Sequence, residues 1–90
     1  MSTRRLPKNI GSIIPPVSFK LDGAYVTIYE VTKSTLITGE TWYHVNLDLR
    51  ISQYKTKRFT LDVRNVDELK RKLLIEISKF KLMILLGVRP

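Results

Sequence analysis

The sequence predicts an α+β domain in the order ββββα: a four-stranded antiparallel meander followed by one long C-terminal helix packed on one face. Three observations carry this expectation. Apolar and polar residues alternate with a period of two through most of the chain from Val17 to Arg64, as half-buried strands require. The pair Asp22-Gly23 separates two such runs, as hairpin turns do. Beyond Asn65 the apolar residues recur at helical spacing. With 90 residues, of which 43% are hydrophobic and 27% charged, the chain has the length and composition of one small globular domain.

Residues 1–16 read as a basic, proline-containing arm. Pro7, Gly11, Pro15 and Pro16 disfavour helix and internal strand there. Arg4, Arg5 and Lys8 are its candidate phosphate contacts, and Ile10, Ile13 and Ile14 favour docking over free solvation. Residues 17–90 form the single domain. Its first strand, Val17 to Leu21, alternates Val17, Phe19 and Leu21 with Ser18 and Lys20. The second, Ala24 to Thr32, places Val26 and Ile28 on one side and Tyr25, Thr27 and Tyr29 on the other, with the choice of buried face left open.

The run from Trp42 to Ser52 alternates most cleanly. Tyr43, Val45, Leu47, Leu49 and Ile51 point one way, and Trp42, His44, Asn46, Asp48, Arg50 and Ser52 the other. A polar break at Gln53 to Lys57 precedes a fourth strand, where Phe59, Leu61 and Val63 alternate with Arg58, Thr60, Asp62 and Arg64. Asn65 then supplies a helix cap with Glu68 three positions on, and Asp67 and Glu68 suit the positive end of the helix dipole. Val66, Leu69, Leu73, Ile77, Phe80 and Ile84 make the inward stripe, and Gly87 with Pro90 the stop.

Composition narrows function. The chain has 16 Lys and Arg against 8 Asp and Glu, a net charge of +8, no Cys, and one His. Without Cys there is no disulfide, thiolate nucleophile or thiolate zinc site. With His44 as the sole imidazole, a metal cluster or a Ser-His-Asp array would need unusual partners, so the reading is non-enzymatic, with no cofactor and no metal. The longest apolar run, Leu82 to Leu86, is far too short to cross a bilayer, and the basic N-terminus lacks the features of a secretory signal. The expectation is a cytoplasmic protein.

If the helix covers one sheet face, the other presents rings interleaved with cations, which suits unstacked bases and their phosphates. The expected partner is a nucleic acid, single-stranded DNA or RNA, bound by Tyr25, Tyr29, Trp42, His44, Arg50, Lys55, Lys57, Arg58 and Arg64. Strands also favour Tyr, Trp and Thr for packing alone, and His44 is more often a plain surface residue than a ligand. Asp48 and Asp62 are expected to orient neighbouring arginines. The basic run Lys70, Arg71 and Lys72 reads as a solvated helix face. On the outer side of the helix Leu74, Ile75, Leu82, Leu85 and Leu86 form a second apolar stripe, which points to a homodimer or a partner subunit. The same residues leave two other functions open: an accessory subunit of a larger nucleic-acid machine, such as a ribosome or polymerase, and a small nuclease-like enzyme built on His44 with Tyr, Asp48 or Arg50.

The run from Val45 to Leu73 resembles the single-stranded DNA-binding fold of the positive cofactor four family and its Whirly relatives. Asp48-Leu49-Arg50 resembles the family's acidic-aliphatic-Arg strand motif. Lys57 matches its loop lysine, and Thr60-Leu61 with Leu69-Lys70 its passage from strand to helix. The resemblance implies four strands before one helix, helices paired in a dimer, and Arg50 and Lys57 in contact with single-stranded DNA. Lys55 and Arg58 stand where that family has glycines, and Val66 where it has a helix aromatic.

Overall fold

The structure is a computed structural model and describes residues 9–88. Arg4, Arg5 and Lys8 lie outside the described residues. Five strands and one helix follow a short 3-10 turn at Ile10–Ser12: β1 Val17–Leu21, β2 Ala24–Thr35, β3 Thr41–Ile51, β4 Tyr54–Lys55, β5 Phe59–Val63 and α1 Val66–Leu85. All pairings are antiparallel. The order is β1-β2-β3, and the far edge of β3 is shared by β4 and β5, which occupy the place expected of one fourth strand.

Local chemistry explains each boundary. Asp22 and Gly23 both take positive φ, 48° and 81°, the left-handed pair that closes a two-residue hairpin with the twist of its strands. A second tight turn at Ser52-Gln53 joins β3 to β4, so Lys55 is a paired strand residue rather than part of a loop. Asn65 caps α1 by accepting the Glu68 N–H at 2.8 Å, and the Glu68 carboxylate reaches back to the Arg64 N–H at 2.7 Å. The first bond satisfies one of the donors a helix start leaves free, and the second ties the residue before the cap to the first turn. The same Arg64 N–H holds the Glu68 carboxyl below its ordinary range, ahead of a smaller opposing effect of desolvation. At the other end Gly87, at φ 75°, lets the Gly87 and Val88 N–H groups bond Ile84 and Met83 carbonyls, which stops the helix.

The helix lies on the face expected of it. Leu69, Leu73, Ile77 and Phe80 are buried against Val26, Ile28, Val45, Leu47, Leu49 and Val63, while Val66 and Ile84 pack at the margins. Each such side chain contributes about 1.5–3 kcal/mol by leaving water. Ile10 and Ile13 belong to the same core, so the packed domain begins before residue 17. The arm residues from Asn9 onward are therefore part of the fold rather than an appendage to it.

Two irregularities shape the open face. Val26 and Ile28 face the core at even positions, yet Val31 does too, and the parity changes because β2 carries a bulge: Ile28 pairs with Leu47 and Glu30 with Asn46, leaving Tyr29 extra. Across β3, Thr56 bonds Leu49 through both its N–H and its hydroxyl, and pairing resumes at Phe59 with Leu47. Lys57 and Arg58 thus stand against Asp48 alone.

Candidate functional site

The sheet face away from α1 is a grid with β3 in the middle, β2 on one side and β4 and β5 sharing the other. Along β3 its outward residues are Trp42, His44, Asn46, Asp48 and Arg50, a span of about 27 Å at strand rise. Tyr25, Thr27, Tyr29, Glu30, Thr32 and Ser34 flank them on β2. On the other side stand Lys55, Thr60 and Asp62.

Every aromatic ring expected on this face carries an arginine. The Arg50 guanidinium lies 5.4 Å from the Tyr25 ring centroid, with the Lys20 ammonium at 5.7 Å; Arg58 lies 3.7 Å from the Tyr29 ring; Arg64 lies 5.3 Å from the Trp42 ring. Tyr25 is the most open of the three rings, at 40% exposure. A guanidinium at 3.7 Å is stacked on its ring, and such contacts are worth about 0.5–1 kcal/mol where solvent reaches them.

The middle of the face is built around an acid. Asp48 is only 2% exposed, although it points to the open side. The two extra residues, Tyr29 from β2 and Arg58 from beyond β4, meet above it. The Tyr29 hydroxyl donates to Asp48 Oδ2 at 2.6 Å, and the Lys55 ammonium approaches the same oxygen at 3.4 Å. Asp48 raises the Tyr29 hydroxyl above its ordinary pKa, chiefly through that hydrogen bond and secondly alongside burial, while Arg58 opposes the shift. A shallow hollow of about 470 Å³ opens beside it between Tyr25, Tyr29, Arg50 and Lys55, with Thr27 and Ser18 hydrogen-bonded to each other at 2.9 Å on its lining.

At the other end, His44 is held between two strands. Its Nδ1 lies 2.6 Å from Asp62 Oδ1 and its Nε2 2.8 Å from Ser34 Oγ. The expectation that Asp48 and Asp62 orient arginines is therefore corrected. Asp48 binds a tyrosine and a lysine: the β2 bulge brings in Tyr29, and Lys55 reaches over from its place opposite Arg50. Asp62 binds a histidine because the register sets His44 directly across from it. Reading the sequence also missed Ser34. It lies beyond the expected end of β2, and nothing local marks it as a partner of His44.

The structure thus brings Tyr25, Tyr29, Trp42, His44, Arg50, Lys55, Arg58 and Arg64 to one face or its rim. Lys57 is exposed in the segment between β4 and β5. The outer helix residues Ile75, Leu82, Leu85 and Leu86 are exposed and Leu74 half-buried, on a stripe roughly 160° round α1 from the core stripe. Among the described residues no cluster of three or more His, Asp or Glu could hold a metal ion, and no helix is long and apolar enough to cross a membrane.

Fold and face together define a class of architecture, the one-helix, open-faced antiparallel sheet. Comparison with family models, curated proteins and solved structures finds no match for this chain, so what it does is argued from its own residues.

Proposed function

We propose that the protein binds single-stranded nucleic acid, DNA or RNA, on the open sheet face, without catalysing a reaction on the strand. The observation that carries this reading is the pairing of Tyr25, Tyr29 and Trp42 with Arg50, Arg58 and Arg64. A ring offers a stacking surface to any base, worth about 1–3 kcal/mol per base, and the guanidinium beside it offers a donor fork to the phosphate. The face is about as long as a few nucleotides, and Lys20, Lys55 and Lys57 at its edges add to its attraction for a polyanion. Two copies pairing through the outer stripe of α1 would cover Ile75, Leu82, Leu85 and Leu86, which a lone domain leaves in water. Ser78, small and central in that stripe, would let the two helices approach closely.

Titration of Trp42 fluorescence with single- and double-stranded oligonucleotides at several salt concentrations, with molar mass measured in parallel, tests this. Single strands should quench the emission, and three phosphate contacts should give a slope of log K against log salt of about −2. The mass should be that of a dimer. Absence of salt-dependent binding to free strands would overturn the reading, and would favour an accessory subunit that meets nucleic acid only within a larger assembly.

A further inference from the structure

The end of the open face near Trp42 also holds a hydrogen-bonded chain of side chains that the ring and guanidinium pairs do not account for. Ser34, His44 and Asp62 come from β2, β3 and β5 and form one hydrogen-bonded chain, with 2.8 Å from Ser34 Oγ to His44 Nε2 and 2.6 Å from His44 Nδ1 to Asp62 Oδ1. A carboxylate only accepts hydrogen bonds, so Nδ1 carries the proton that Asp62 receives. In the neutral ring Nε2 is then the acceptor, and the Ser34 hydroxyl donates to it. That is the order of nucleophile, base and orienting acid, fixed here by strand register: His44 lies directly across from Asp62, and Ser34 one outward position along β2 from Thr32, the residue paired with His44.

The surroundings supply a seat and a charge. Trp42 is the cross-strand partner of Ser34, and Arg64 is held over the Trp42 ring. We infer that Ser34 is an acyl-accepting nucleophile activated by His44, with Asp62 as its positioning residue, acting on carboxylic esters whose alcohol part is a planar ring able to stack on Trp42. Ser34 Oγ bonds to the carbonyl carbon as its proton passes to His44 Nε2. The bond from that carbon to the alcohol oxygen breaks, and His44 returns the proton to the leaving oxygen. Water then adds by the same route, releasing the acid and restoring Ser34. The charge at this end of the face is the Arg64 guanidinium, which lies over the Trp42 ring and 3.4 Å from Glu68 Oε2. A ladder serving only to align strands needs no such order of donors, and three hydroxyl or amide side chains would serve it as well. With the His44 side chain 36% exposed and that of Asp62 60%, water competes for both groups, so activated esters are the substrates on which the step is visible.

The test uses the full chain and 4-nitrophenyl acetate, following nitrophenolate release and locating the acetyl group by peptide mass. Acetylation should fall on Ser34, disappear in Ser34→Ala, drop by about 100-fold or more in His44→Gln, and drop less in Asp62→Asn. Acetyl found on lysines alone, or release no faster than from Ser34→Ala, would overturn the proposal. Because the chain has no cysteine, Ser34→Cys places a single thiol beside His44. Its alkylation by iodoacetamide should run at least about tenfold faster than in Ser34→Cys with His44→Gln, since an adjacent imidazole raises the thiolate fraction. Equal rates in two folded variants would overturn the proposal without any ester being involved.

Discussion

A buried acid at the centre of a basic face makes a double-mutant cycle on Tyr29 and Asp48 informative. The 2.6 Å contact between them falls in the short range of hydroxyl-to-carboxylate bonds, and a hydrogen bond to a charged group contributes about 1.5–3 kcal/mol. Tyr29→Phe leaves the 2%-exposed carboxylate with only the Lys55 ammonium at 3.4 Å, whose side chain is 60% exposed. That variant should lose the full amount, about 2 kcal/mol. Asp48→Ala removes a group whose own desolvation opposes folding, and it frees a hydroxyl that water can reach, so its cost should be nearer 1 kcal/mol. The double variant should cost little more than Asp48→Ala, since the hydroxyl has already lost its partner. The coupling is then about 1.5–3 kcal/mol, measured by urea or guanidinium unfolding of the four proteins. In thermal unfolding, Tyr29→Phe should lower Tm by about 8–16 °C for a domain of this size. Asp48→Asn, which keeps an acceptor, should retain part of the coupling. A value under about 0.5 kcal/mol would refute the reasoning, because the acid would then be solvated and the Tyr29 ring held by packing alone.

Two further outcomes follow from the same chemistry. Because the folded Tyr29 hydroxyl holds its proton more tightly than the ordinary value of 10.0, its contribution to stability is complete below that pH and is lost as pH rises through the higher folded value. Alkaline titration followed by tyrosinate absorbance should show Tyr29 ionising late, and Asp48→Ala should return it toward 10.0. At the helix start, Asn65→Ala should cost about 1 kcal/mol and lower Tm by about 4–8 °C, whereas Asn65→Asp, which can still accept the Glu68 N–H, should hold stability within a few tenths of a kcal/mol in thermal melts.

Which parts were legible in the chain depends on the range of the interaction. The alternation from Tyr43 to Ile51 reports its own buried face, since neighbours two apart share a side whatever they pack against. Asp22-Gly23 and Asn65 through Glu68 are equally local, and the structure has the expected turn and cap. The bulge at Tyr29 left a trace that the reading did not use: apolar Val26 and Ile28 at even positions, then Val31 at an odd one. The partners of Asp48 and His44 left none. Tyr29 is 19 residues from Asp48, Asp62 is 18 from His44, and Ser34 is 10 from it, and such pairs are decided by the register of neighbouring strands rather than by sequence nearby. Ile10 and Ile13 reach the core from a segment without periodicity, so only their hydrophobicity hinted at it.

The ring and guanidinium pairs raise a question that the energetics answer. A base can stack on Tyr29 only if Arg58 leaves the ring, which costs about 0.5–1 kcal/mol at an exposed site. In the strand binding we propose, stacking a base would return about 1–3 kcal/mol, and the displaced guanidinium would find a phosphate carried by the same nucleotide. On that proposal the exchange would be favourable, and it would start from arginines already lying beside the rings, with less side-chain freedom left to lose than arginines moving freely in solvent. Asp48 has a role in this that its charge alone would not suggest. By bonding the Tyr29 hydroxyl it fixes the ring plane that Arg58 covers, so a negative group that a phosphate would meet with repulsion would, on the proposed reading, help to set the short-range geometry for a base. The Lys55 ammonium against it offsets part of that repulsion while leaving the geometry intact.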